Sequence, residues 1–409
     1  MASPPPGAGA GAGEPHEVAV NRLRLVGAPE TNKVMAGELS RLVRRATDGI
    51  RLPQPRKLGT GQLLYPFDER VARVAATYHR TCSRVLWDLF ETRAGRLEPL
   101  YDELVDAMAA DDRGWRWDGA TFSVVARNVD EFAAGPRQVV GAVKNAIVDA
   151  AATRAMSLKV DAEHPDIVFR VRMHDDAVSV SVDLAGRAMH VRGYRARGGA
   201  APLRENLAAT LLMLARYDAR SEILVDPMAG SGTIAIEAAL MARAAPAASD
   251  GRRLALERLP AFGRSEAEPE ALFADTEPRI WASDVDQRTL AIARQNAIGA
   301  GVADDLRLRA KDAFDVTPDL VTRAFGADPK TPGLIVSNPP YGERIGGSAD
   351  DIVALYDRMT RWLDAWRGWR AAFLVGHPEF ESVLGRRARV RKPINNGPLR
   401  AHFLLYDLE

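Results

Sequence analysis

From residue 203 onward, short apolar runs recur, each leading to Asp or Asn at its C-terminal end. Ile223-Leu224-Val225 stops at Asp226, Ile280–Ser283 at Asp284, Leu306–Ala310 leads to Asp312, and Leu334–Ser337 stops at Asn338. Leu334-Ile335-Val336 shows no apolar–polar alternation, as expected of a strand covered on both faces. Helical patterns lie between the runs, at about Thr233–Arg243 and Gln287–Ile298, with another at Ile352–Trp366. Alternating strands and helices build a mostly parallel sheet, and its strand ends then share one edge. That edge is where ligands sit in open α/β folds. The order therefore predicts an α/β domain over residues 196–409. It closes with a strand at Ala371–Gly376 and a final antiparallel hairpin near Ala388–Lys392 and Ala401–Tyr406.

The earlier part of the chain reads differently. Strands are expected at Val18–Val26, Leu63–Phe67, Thr121–Ala126, Ile167–Met173 and Ala177–Leu184. Asp68 suits a helix N-cap and Pro136 a first helical turn. Strand–helix–strand–strand order makes residues 18–195 an α+β region. Residues 1–17, dominated by Pro, Gly and Ala, are expected to be a disordered tail. They lack the basic and apolar blocks of a signal peptide, and no run of about 18 apolar residues exists. A cytoplasmic protein that neither enters nor spans a membrane is expected. The 409 residues carry a net charge of +1, so any nucleic-acid footprint must be a local patch. Cys82 stands alone, which excludes an intrachain disulfide and a thiolate metal cluster, and no metal is expected. In its apolar surroundings of Val74, Val85 and Leu86 it reads as a buried structural thiol.

The chemistry concentrates in two turns. Asn338-Pro339-Pro340-Tyr341 ends a strand in a stiff loop, because both prolines fix φ and lack an N–H. The Asn338 side-chain oxygen and the Pro339 carbonyl can accept N–H bonds from an exocyclic amine, and Tyr341 offers a face for a planar base. The other turn is Asp226–Thr233 (DPMAGSGT), in which Asp226, Pro227, Ala229, Gly230, Gly232 and Thr233 are candidate cofactor contacts. Read as Gly230-x-Gly232-x-x-Ala235 it also fits a dinucleotide fingerprint, making NAD a rival. Against NAD, Asp226 places a carboxylate where a pyrophosphate would lie, and Asp284 comes far later than the usual spacing of about 20 residues. Asp226 for an ammonium, Asp284 with Asp286 for ribose hydroxyls and Asp312 for an adenine amine together describe S-adenosylmethionine.

Two basic stretches are candidate RNA contacts. Gly186–Arg204 contains Arg192, Tyr194 and Arg195 and no acidic residue, and Gly385–Pro393 contains Arg389 and Arg391. Arg344 follows the Asn-Pro-Pro-Tyr loop. Phosphate contacts with interleaved stacking would suit RNA. A solvated linker and a charge-protected hairpin edge are the competing readings.

On these motifs the chain resembles THUMP-domain class I RNA methyltransferases of the N2-methylguanosine-forming type. DPMAGSGT, ASDVD (Ala282–Asp286) and NPPYGER (Asn338–Arg344) are similar to the family's cofactor and catalytic motifs. VKNAIVDA (Val143–Ala150), SVDLAGRAMHVRGYR (Ser181–Arg195) and PLRENLAATLL (Pro202–Leu212) are similar to the segments joining the THUMP region to the catalytic domain, and NGPLR (Asn396–Arg400) to the last hairpin. The resemblance implies a Rossmann-like methyltransferase domain behind an α+β THUMP-containing region, acting on a guanine N2 amine. Ribosomal RNA of the large subunit is favoured over transfer RNA, and a monomer is expected. The same loop chemistry also serves adenine N6 in DNA and a protein glutamine amide. An RNA-binding assembly factor that keeps the fold without catalysis is the non-enzymatic alternative.

Overall fold

The computed structural model describes residues 18–409 except 112–116, 131, 175–176, 196–202, 249, 251–253, 260–261, 263–268, 274, 341–348 and 397–398. The N-terminal elements are β1 (Ala19–Gly27), α1 (Asn32–Ala46), β2 (Arg56–Lys57), β3 (Gln62–Pro66), α2 (Glu69–Tyr78), β4 (Cys82–Thr92), α3 (Leu97–Ala110), β5 (Thr121–Arg127), α4 (Pro136–Thr153), β6 (Lys159–Val160), β7 (Ile167–His174) and β8 (Ala177–Asp183). The expected Asp68 cap is present, its carboxylate accepting from the N–H groups of Arg70 and Val71, and Pro136 opens α4. Cys82 is buried, as its apolar surroundings imply.

The chain folds as two compact units. One comprises Met1–Arg22, Trp87–Asp183 and Arg258–Gly263; the other comprises Leu23–Leu86, Leu184–Glu257 and Arg264–Glu409. In the first, β7 pairs antiparallel with β8, and β5 pairs parallel with both β7 and β6. Phe169 is buried there, edge-on to Trp117 and Phe122 at 5.4 and 5.8 Å. The sequence-based boundary at 195/196 does not coincide with a unit boundary. Residues 23–86 and 184–195 belong to the second unit, where buried Arg80 and Arg192 both bind Glu237.

The second unit continues with α5 (Glu205–Leu214), β9 (Ile223–Asp226), α6 (Thr233–Ala242), β10 (Arg279–Asp284), α7 (Gln287–Gly299), β11 (Leu306–Ala310), α8 (Pro318–Ala324), β12 (Gly333–Ser337), α9 (Ala349–Leu363), β13 (Arg370–Val375), α10 (Phe380–Leu384), β14 (Val390–Asn396) and β15 (Leu399–Asp407). Its seven-stranded sheet has the order β11-β10-β9-β12-β13-β15-β14. β9 to β13 are mutually parallel, and β15 runs antiparallel to both β13 and β14. An all-parallel dinucleotide fold would not carry this inserted strand. The apolar strands separate their side chains by pleat. Leu224, Leu334 and Val336 enter one core layer with Ile236, Ala239 and Leu290, while Val225 and Ile335 enter the other with Tyr356, Trp362 and Trp366. The order reverses at β9, whose neighbours are β10 and β12, so the loops after these three strands flank a crevice.

Candidate active site

The crevice is a cavity of about 600 Å³. Its wall includes Asp226, Pro227, Ala229, Gly230 and Thr233 after β9, Asp284 after β10, Asp312 and Phe314 after β11, and Asn338 and Pro340 after β12. The turn after β9 is held from the neighbouring strand. Ala229 N–H donates to the Ser283 carbonyl at 2.9 Å, and Gly230 N–H donates to Asp284 Oδ2 at 2.8 Å. Gly232 has φ +82°, and a Cβ there would come within 3.0 Å of the Ala293 Cβ on α7. Both a left-handed conformation and close helix packing therefore demand glycine at 232. Gly230 has φ +54° and open space where its Cβ would point.

Asp226 is 1 % exposed. Burial pushes its carboxyl up to about 7; hydrogen bonds from the Ser337 hydroxyl and the Met228 N–H pull the other way, and the Asp284 charge adds to the rise. In the unfolded chain the same group ionises near 3.8. Between those values the unfolded state sheds its proton while the folded state keeps it. Asp226 thus costs stability progressively as pH rises from about 4 to about 7, by up to about 1.4 kcal/mol per pH unit. Asp226→Asn should remove that slope. Urea midpoints of the variant, relative to the parent, should rise between pH 4.5 and pH 7; a constant difference across that range would place the titration elsewhere.

Asp312 accepts from the Phe314 N–H at 3.0 Å, and Arg358 of α9 approaches its other oxygen at 3.5 Å. The Arg358 guanidinium also lies 3.9 Å from the centre of the Phe314 ring. The cavity wall is thus rich in carboxylates, a set that suits ammonium and hydroxyl groups and disfavours a pyrophosphate. Asn338 contributes a different group. Its Oδ1 is buried and has no hydrogen-bond partner among the described residues. Buried polar atoms are nearly always paired, so an orphaned acceptor on a cavity wall calls for a donor from outside the chain.

Not every expected site residue lies in this wall. Asp286 is exposed and serves as the N-cap of α7, accepting from Arg288 N–H at 2.9 Å and Thr289 Oγ1 at 2.7 Å. Its link to the site runs through its own N–H, which donates to Asp284 Oδ1 at 3.0 Å. Pro339 is buried and stands in sequence between two wall residues, Asn338 and Pro340. Tyr341 and Arg344 lie outside the described residues. Phe314, Leu355 and Arg358 enter the wall without having been expected from sequence. Phe314, two residues past Asp312, was the one that position could have flagged; Leu355 and Arg358 arrive only through the packing of α9.

The first basic stretch needs correction. Arg192 is 1 % exposed and clamps Glu237, with Nε to Oε1 at 3.1 Å and Nη2 to Oε2 at 3.2 Å. Tyr194 is buried in the core layer with Leu207 and Leu211, so its ring offers no face to a base. Arg195 is spent inside the unit, on Glu205 Oε1 at 3.0 Å, Thr233 Oγ1 at 3.2 Å and the Leu203 carbonyl at 3.1 Å. These side chains join the segment to α5 and α6 and are not a phosphate-binding surface. Arg389 and Arg391 are exposed on and beside the edge strand β14, but face Asp407 at 3.0 Å and Glu381 at 2.7 Å.

Residues 192–404 match the family described as RMKL-like, methyltransferase domain, and residues 102–183 match the THUMP domain. A ribosomal RNA large subunit methyltransferase K/L from Alteromonas mediterranea is 33% identical over 363 residues, which is 86% of this chain and 50% of that protein. The chain spans about half the length of the curated relatives it matches. Among solved structures, one described as a possible methylase from Clostridium difficile 630 superposes with a TM-score of 0.77 at 26% identity, covering 95% of this chain and 98% of that one. The structure of SMU.472 complexed with SAH has the same fold, with a TM-score of 0.76 at 24% identity, covering 95% of this chain and 98% of that one.

Proposed function

Because the chain belongs to the family of RMKL-like methyltransferase domains and carries a THUMP domain, we propose that it methylates the exocyclic N2 amine of a guanine in large-subunit (23S) ribosomal RNA. The observation that carries this reading is the buried, unpaired Asn338 Oδ1 on the wall of a carboxylate-lined cavity. A guanine amine is a weak nucleophile because its lone pair is delocalised into the ring. Asn338 Oδ1 and the Pro339 carbonyl accept its two N–H bonds, which fixes the direction of that lone pair. S-adenosylmethionine, the family's methyl donor, supplies an electrophilic methyl carbon bound to a sulfonium. Its chemistry fits the wall: Asp226 and Asp284 offer acceptors to an ammonium and to hydroxyls, and Asp312 to an amine beside the Phe314 ring. With the donor bound, its methyl group would pass to the amine nitrogen that Asn338 orients, and that nitrogen would then lose one proton to solvent. No separate base is required of the chain.

The THUMP domain and the rRNA methyltransferase relatives support RNA as the target, with the base presented out of its stack. We place the reaction in the cytoplasm; among the described residues no helix is long and apolar enough to cross a membrane. The test is methyl transfer from radiolabelled donor to separate pools of unmodified large-subunit rRNA, transfer RNA, DNA and protein, followed by digestion. Label in N2-methylguanosine from ribosomal RNA is expected. Label in transfer RNA, in N6-methyladenine or on glutamine would replace the target, and no transfer to any pool would favour an assembly factor.

A further inference from the structure

We propose that Ser337 and Tyr356 are positioning residues that pin the two sides of the Asn338 loop and so hold Asn338, a residue of the cavity wall, in one place. The inference rests on the reading of Asn338 as the acceptor for the target amine. Ser337 closes β12 and is 1 % exposed. β12 and β9 run in parallel register through Leu334↔Leu224 and Ile335↔Val225. Two residues further along, the partner strand reaches Pro227, which has no N–H, so the main-chain ladder cannot continue. The Ser337 hydroxyl makes the tie instead, donating to Asp226 Oδ1 at 3.0 Å with both groups buried.

On the other side of Asn338, the Pro340 carbonyl accepts from the Tyr356 hydroxyl at 3.3 Å. Tyr356 sits on α9 and is fully buried. Its ring is fixed edge-on against Phe380 at 4.8 Å and His377 at 5.8 Å, so the hydroxyl has little freedom to follow a moving loop. Pro339 and Pro340 restrict φ between the two pins. A buried acceptor without a partner persists only where its surroundings prevent it from finding one. Here the loop is tied one residue before the Asn338 side chain and two residues after it, and neither tie uses that side chain.

The experiment uses the full chain with radiolabelled methyl donor and large-subunit rRNA lacking the modification. Ser337→Ala and Tyr356→Phe are expected to lower kcat on the order of tenfold or more with KM for the RNA unchanged. Tyr356→Phe should also leave the dissociation constant of the donor unchanged, whereas Ser337→Ala releases Asp226 and should weaken donor binding by less than it lowers kcat. Ser337→Thr keeps the hydroxyl and should restore most of the loss. In an Asn338→Ala background neither substitution should lower kcat further, since nothing is left to position. Wild-type kcat in both single variants, or a loss confined to donor affinity, would overturn the proposal. Activity surviving in Asn338→Ala itself would instead overturn the reading on which it rests.

Discussion

Asn338→Ala is expected to cut turnover by roughly 10²-fold or more while leaving donor binding nearly intact, the size of effect seen when one placed polar group is removed from an acyl-transfer site. The asymmetry follows from where the atoms lie. The carboxylates proposed to hold the donor come from the loops after β9, β10 and β11, whereas Asn338 comes from the loop after β12. Truncating Asn338 removes an acceptor with no partner among the described residues, so no hydrogen bond to Oδ1 from those residues is lost. The loss should therefore fall on the step in which the amine is oriented, and kcat and kcat/KM should drop together. Isothermal titration with the donor and single-turnover transfer to RNA separate the two contributions. Wild-type-like turnover would remove Asn338 from the chemistry, and a collapse of donor affinity would move it into the donor site.

The same geography explains what could be read from the sequence. The four polar strand ends were legible because a parallel sheet brings C-terminal strand ends to one edge whatever the distance in sequence. Asp226, Asp284, Asp312 and Asn338 accordingly meet at one cavity. Asp286 misled because it lies two residues past a strand end, where an aspartate caps the next helix as readily as it meets a ligand. β4 escaped notice: Val85, Leu86, Leu89 and Phe90 fall at helical spacing, yet the strand is buried on both faces and shows no alternation. Arg192 and Arg195 were misread for a different reason. Composition shows a positive run, but not whether the matching negative charge lies elsewhere in the chain. Glu237 is 45 positions from Arg192 and 157 from Arg80, and only the folded unit brings them together.

That cluster sets the second large expectation. Glu237 is fully buried; burial pushes its carboxyl up, but the guanidiniums of Arg192 and Arg80 outweigh this and hold it below the usual range. Glu237→Gln preserves the shape and removes the charge, leaving two buried cations without the carboxylate they share. The expected cost is about 3–5 kcal/mol, the range for breaking a buried ion pair from one side. It should appear as a lower urea midpoint and as faster hydrogen exchange in α6, which carries Glu237. Replacing the whole cluster with Arg80→Met, Glu237→Leu and Arg192→Met removes the unpaired charges and should recover part of the loss. It should not reach the parent, because the two guanidiniums also bind the carbonyls of Ala245, Pro246, Arg80 and Met189. Each carbonyl left buried without a donor costs about 1–3 kcal/mol. A Glu237→Gln variant that unfolds at the parent's midpoint would show that the cluster is not holding residues 80 and 192 against α6.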